Sequence, residues 1–205
     1  RCVHCHAGSE CRGYEDEMSS GEGNAGIVDL SEVGAPVLLF SGGEPCMRED
    51  VVELMQHAKD RGMRVVLSTN GTLITPELAA RFADVGLSYV GVSLDGARET
   101  HDEFRGLPGS FDRAIEGMRN AKAAGIKVGL RMTVNKRNWR EIGDVFDIME
   151  AEGVKRACFY HLVYTGRGSA LMDEDLDHAE TRAAVRLIMD RTRDCFNRGG
   201  SPEIL

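Results

Sequence analysis

The sequence predicts an α/β fold, a partial (β/α)6 TIM-like barrel of parallel strands, and three observations carry that expectation. Short β-branched apolar runs alternate with amphipathic helical patterns, the signature of βα units. Strand centres near residues 39, 66, 92, 130 and 160 are spaced as right-handed crossovers require. The chain has 205 residues, 42% of them hydrophobic, which is enough for one substantial core.

Taken in order, residues 10–34 are rich in Gly, Ser and acids and are expected to be loop with at most a weak helix. A strand follows at 37–40, then a helix at 49–61 stopped by Gly62. The strand at 64–68 leads to a helix at 76–85, started by Thr75 before Pro76 and stopped by Gly86. A strand at 89–94 precedes the helix at 111–124, and a strand at 127–134 precedes the helix at 139–152; Gly125 and Gly153 end these helices. The last strand is placed at 156–163 and the last helix at 173–197, with the acids from Asp173 to Asp177 at its positive end. These are five strands. The sixth is expected before Arg1, because the chain opens without Met and with cysteines that would follow a first strand. An open flavodoxin-like sheet competes, and periodicity does not separate the two.

The formal charge is −8 with no basic tract, which argues against a phosphate-tracking nucleic-acid surface. Acidic small-molecule substrates remain compatible, since a few local arginines suffice. No apolar run reaches the roughly 18 residues of a membrane span, and no secretory signal opens the chain. Six cysteines are too few and too unevenly placed for a disulfide scaffold, so a reducing cytoplasm with metal-binding thiols is expected.

Chemistry collects where parallel strands end. The five strand ends are polar: Ser41-Gly42-Gly43-Glu44-Pro45, Ser68-Thr69-Asn70-Gly71, Ser93-Leu94-Asp95-Gly96, then Arg131, Thr133 and Asn135, then Tyr160, His161 and Thr165-Gly166-Arg167-Gly168. Each alone is an ordinary turn. Together they point hydrogen-bonding groups at one mouth, where paired glycines admit a ligand to the backbone and a carboxylate suits an ammonium. At the N-terminus, Cys2-Val3-His4-Cys5 is a C-x2-C. By itself it reads as half a zinc site completed by His4, His6 or Cys11, as a redox pair, or as part of an iron–sulfur ligand set. Cys11, Cys46, Cys158 and Cys195 have no motif partner and default to small apolar residues; Trp139, between Arg137 and Arg140, reads as a packing anchor.

These segments resemble the radical SAM enzymes. Their C-x3-C-x2-C motif follows the first strand of a partial (β/α)6 barrel and holds a [4Fe–4S] cluster that binds S-adenosylmethionine (SAM). Cys2 and Cys5 match the second and third cysteines; the first would lie before Arg1, so the chain as given is expected to be a core fragment, 1–205, unable to hold the cluster normally. The resemblance assigns Gly42, Gly43 and Glu44 to the methionyl ammonium, and Ser68 and Asn70 to the cofactor wall. It assigns Ser93 and Arg105, from Ser93-Leu94-Asp95-Gly96 and His101-Asp102-Glu103-Phe104-Arg105, to the methionyl carboxylate. Asn135, His161 and Leu162 fall where ribose and adenine contacts arise. Within the family, the opening residues and the segment 159–168 resemble enzymes that modify tetrapyrroles in heme d1 and siroheme-to-heme biosynthesis. Such enzymes usually carry a cysteine-rich C-terminal SPASM-like extension, and this chain stops at Leu205. The resemblance implies a deoxyadenosyl-radical enzyme, a small-molecule tetrapyrrole substrate, an electron donor such as flavodoxin or ferredoxin, and neither nucleic acid nor membrane as partner. Arg131, Tyr160 and Arg167 are the candidate substrate contacts. The competing readings are a SPASM-type peptide-modifying enzyme and a non-catalytic zinc-binding fragment.

Overall fold

The computed structural model describes residues 2–5, 9 and 16–205. Among them the elements run α1 (Ser20–Glu32), β1 (Val37–Phe40), α2 (Val51–Asp60), β2 (Arg64–Thr69), α3 (Pro76–Asp84), β3 (Tyr89–Ser93), α4 (Arg98–Arg105), α5 (Ser110–Ala123), β4 (Val128–Val134), α6 (Ile142–Glu152), β5 (Arg156–His161), α7 (His178–Asn197) and β6 (Glu203–Ile204). Short 3-10 segments lie at Pro45–Met47, Trp139–Glu141 and Gly166–Glu174.

The strands form one sheet in the order β1-β2-β3-β4-β5-β6, every neighbouring pair parallel. Strand order equals chain order, so the sheet has no reversal point and the flavodoxin-like alternative is excluded. Right-handed crossovers then lay the helices on one face, as in a barrel wall. That face is the core. Val65 and Leu67 on β2, Val90 and Val92 on β3, and Leu130 and Met132 on β4 pack with Met55, Phe82, Met118 and Phe146 of the helices. The other face is left concave and carries the polar strand ends.

The structure differs from expectation in four elements. Residues 10–34 include a genuine helix, α1, whose N-terminus is a capping box: Ser19 accepts from Glu22 N–H and the Glu22 carboxylate accepts from Ser19 N–H at 2.8 Å. It buries only Ile27, so its apolar stripe was too thin to read. α4 is a short, highly charged helix within a segment read only as a motif. α7 starts at His178, not near 173, because Asp177 is its N-cap in a second capping box with Glu180. Among the described residues the sixth strand is Glu203–Ile204, paired with Arg156 and Ala157, too short to show a period.

Candidate active site

The strand ends enclose a cavity of about 420 Å³. Its first wall is the turn after β1. Glu44 caps the 3-10 segment Pro45–Met47: its Oε1 accepts from Cys46 N–H at 3.1 Å and from the Thr69 hydroxyl at 2.6 Å, and its Oε2 accepts from Asn70 N–H at 2.7 Å. Both oxygens are thereby fixed by the end of β2. Thr69 in turn accepts from Gly71 N–H at 2.9 Å, and Asn70 Oδ1 accepts from the Thr72 N–H and hydroxyl, an Asx turn that sets the second wall. Gly43 has no room for a side chain, since a Cβ there would lie 2.8 Å from Ser9 Cβ and Oγ. The glycine expected to admit a ligand thus also admits the segment that follows the cysteines.

Behind Ser93 lies a buried polar network. Asp95 accepts from Thr133 N–H at 3.1 Å and pairs with Arg105 at 2.5 Å, with side-chain exposures of 1% and 12%. Burial alone would raise the Asp95 pKa, but Arg105 beside it holds the carboxyl below its ordinary value. His101 Nδ1 accepts from Asp95 N–H at 3.2 Å, and burial, then Arg105, push the imidazole down to about 4, so the ring is neutral. Asn138 ties this network to β4 by donating to the Asp95 and Thr133 carbonyls. Glu141 accepts from Ala97 N–H and the Thr100 hydroxyl, supplying the N-terminal cap that α4 lacks from its own Ala97.

The third wall is the inner face of β4 and β5. Ser93 pairs in register with Arg131, and Thr133 with Tyr160. Gly91 leaves space for Arg131 to cross the sheet, a Cβ there meeting Arg131 Cδ at 2.6 Å. The guanidinium then rests on the Tyr160 ring at 4.9 Å.

The cysteine segment closes the cavity. Val3 N–H donates to the Phe104 carbonyl at 3.1 Å, His4 stacks on Phe104 at 4.3 Å, and Arg105 Nη1 lies 3.6 Å from Cys2 Sγ. From the other end of the chain, Arg167 donates its backbone N–H to the Cys5 carbonyl, Nε to the Cys2 carbonyl and Nη1 to the Ser9 carbonyl, at 2.8 to 2.9 Å.

Most of the residues singled out in the sequence therefore share one cavity: Cys2, Cys5, Gly42, Gly43, Glu44, Ser68, Asn70, Ser93, Arg105, Arg131, Tyr160, His161 and Arg167 all line it. Two do not. Asn135 is fully buried and turned into its own loop, donating to the Thr133 carbonyl and accepting from Arg137 N–H. Leu162 packs with Phe104 and Leu171 beneath the cysteine segment. A strand-end position does not fix which way the side chain turns once the pleat has ended. Cys158 is buried as expected, and burial followed by the neighbouring Glu44 raises the Cys46 thiol. Trp139 packs against the core with Arg140 over its ring at 4.4 Å. His6 and Cys11, named for a zinc site, lie outside the described residues. Sequence reasoning missed Ser9 and His101 as lining residues and Asp95 as the partner of Arg105. The burial of a charged pair had no periodic signal to announce it.

Cys2 and Cys5 face the same cavity as the Gly42-Gly43-Glu44 turn. Two thiols are half of a closed zinc set and two of the three ligands that a cluster open to SAM would take.

The family model of the Radical SAM superfamily matches residues 1–149. The chain is 55% identical over 205 residues to the Fe-coproporphyrin III synthase of Methanosarcina barkeri, covering 100% of this chain and 51% of that protein. It is 37% identical to the pre-heme d1 synthase of Dinoroseobacter shibae, covering 98% and 50%. The chain thus spans about half the length of these curated relatives. The solved structure of native anSMEcpe with bound AdoMet shares the fold at a TM-score of 0.82 and 20% identity, covering 99% of this chain and 59% of that one. From the family match and the relatives, this chain belongs to the radical SAM superfamily.

Proposed function

We propose that the chain is the catalytic core of an enzyme that reductively cleaves SAM and uses the resulting radical on a tetrapyrrole side chain in heme biosynthesis. The observation that carries it is the convergence of two thiols, the fixed Glu44 carboxylate and an arginine on one cavity. A [4Fe–4S] cluster, when bound, supplies the one-electron reduction that yields methionine and a 5′-deoxyadenosyl radical. Cys2 and Cys5 would supply two of its three cysteine ligands.

Glu44 is prepared for the methionyl ammonium, because hydrogen bonds from Thr69 and Asn70 hold both carboxylate oxygens in place. For the carboxylate, Ser93 is joined by Arg131 in preference to Arg105. The charge of Arg105 is already offset by Asp95, whereas Arg131 faces the cavity on the strand beside Ser93. Ser68 and Asn70 complete the wall. Tyr160, 40% exposed, and His161 line the cavity on the β5 side, where the substrate would approach. The tetrapyrrole class rests on the relatives named above.

The test is anaerobic reconstitution of the full-length protein with iron counting, EPR with and without SAM, and assay of 5′-deoxyadenosine, first alone and then with iron-bearing porphyrins. A reduced-cluster signal that changes on SAM addition, with deoxyadenosine formed, is expected. No cluster, or one indifferent to SAM and to Glu44→Ala, would overturn the reading.

A further inference from the structure

The buried Arg105–Asp95 pair is costly to maintain. Two charges at 12% and 1% exposure lose their hydration, and pairs of this kind contribute little to stability over apolar groups of similar volume. Yet Asp95 is itself fixed: its carboxylate accepts from Thr133 N–H, its backbone N–H donates to His101, and Glu141 caps the helix that carries Arg105. Its fork is divided: Nη2 goes to Asp95, and Nη1 is aimed at Cys2 Sγ at 3.6 Å. The residue just before it, Phe104, takes the Val3 N–H and the His4 ring, so α4 and the cysteine segment are joined at a second place.

We infer that Arg105 is a tuning residue for the cluster, acting through a charge-assisted hydrogen bond to the Cys2 sulfur, with Asp95 setting both its orientation and the net charge at that sulfur. This rests on the cluster reading above. Hydrogen bonds to cluster sulfurs and nearby positive charge favour the reduced, more negative state and so raise the reduction potential. Asp95 opposes this by cancelling the charge while leaving the donor in place. The two residues therefore have opposite signs. Loss of the guanidinium fork makes the cluster harder to reduce; loss of the Asp95 charge makes it easier.

The experiment is a potentiometric EPR titration of the reconstituted full-length protein, without SAM, for wild type, Arg105→Lys and Asp95→Asn, with SAM affinity measured in parallel. Lysine keeps the charge but lacks the planar fork, so it serves Asp95 or the sulfur but not both. At a fixed ambient potential Arg105→Lys is expected to hold about tenfold less reduced cluster, equivalent to a shift of ~59 mV downward for one electron. Asp95→Asn is expected to shift upward. The double variant Arg105→Gln/Asp95→Asn leaves no unpaired buried charge, guards against misfolding, and is expected to shift downward through loss of the donor. Unchanged potentials in folded variants, with weakened SAM binding instead, would overturn the inference and return Arg105 to the cofactor carboxylate. Shifts of the same sign in Arg105→Lys and Asp95→Asn would overturn it as well, indicating only a loosened site. If wild type forms no [4Fe–4S] cluster, the underlying reading fails, and this inference with it.

Discussion

The Thr69 hydroxyl donates to Glu44 Oε1 at 2.6 Å while accepting the Gly71 N–H at 2.9 Å. The end of β2 thus locks the carboxylate of the turn after β1, and a neighbouring strand decides the orientation of the residue assigned to the ammonium. Glu44→Gln removes the charge and turns an amide toward N–H donors on at least one side. At least tenfold weaker SAM binding is expected, about 1.4 kcal/mol, together with a lowered urea midpoint from the unsatisfied donor. Calorimetric titration with SAM checks the first and denaturation the second.

Gly43 carries a second expectation. A Cβ there overlaps Ser9 Cβ and Oγ, so Gly43→Ala should displace the cysteine segment and lower iron retention after reconstitution. Because the overlap is with the Ser9 side chain, the double variant Gly43→Ala/Ser9→Gly should recover most of the iron. Failure of that rescue would place the cost in the turn itself.

The barrel wall was legible because β2, β3 and β4 pair apolar and β-branched residues with strong helix stops, and the strand-end motifs were legible because they are short and polar. What was hidden follows from weak patterning. α1 buries one residue, Ile27, and its Ser19–Glu22 capping box was its only sequence signal. α4 is eight residues long and mostly charged, so nothing in its hydropathy announced that His101 and Phe104 are buried. Asn135 and Leu162 were placed at the mouth by the resemblance, whereas their side chains turn into the Asn135 loop and against Phe104. Arg167 was read as a substrate contact because it is a cation near the mouth; it does line the cavity, but no local pattern foretells bonds to Cys2 and Ser9 across 165 and 158 residues.

The neutral His101 links stability to pH. Its folded value of about 4 lies below the ordinary 6.5, so between these values the unfolded chain binds a proton that the native chain refuses. The contribution is complete above the unfolded value and is lost as pH falls through the window toward 4. The expected slope is at most about 1.4 kcal/mol per pH unit, read from urea midpoints across that window. The difference in slope between wild type and His101→Gln isolates it; identical slopes would assign the pH dependence to the carboxylates.

Gly91→Ala tests the seat of Arg131. The added methyl meets Arg131 Cδ at 2.6 Å and must move the side chain off the Tyr160 ring. A stability loss of about 1–3 kcal/mol is expected from overpacking, with a larger proportional loss in SAM affinity than in urea midpoint. Retained affinity would show that Arg131 serves the substrate and leaves the cofactor carboxylate to other groups.

Arg167 reaches back over nearly the whole chain to hold the Cys2, Cys5 and Ser9 carbonyls. Each strand pairs with its predecessor through a local crossover, whereas this clasp joins residues 158 and 165 positions apart. A contact held over so long a loop is expected to open before the paired strands do. Amide exchange at Arg167 ahead of exchange at β3 and β4 would record that opening.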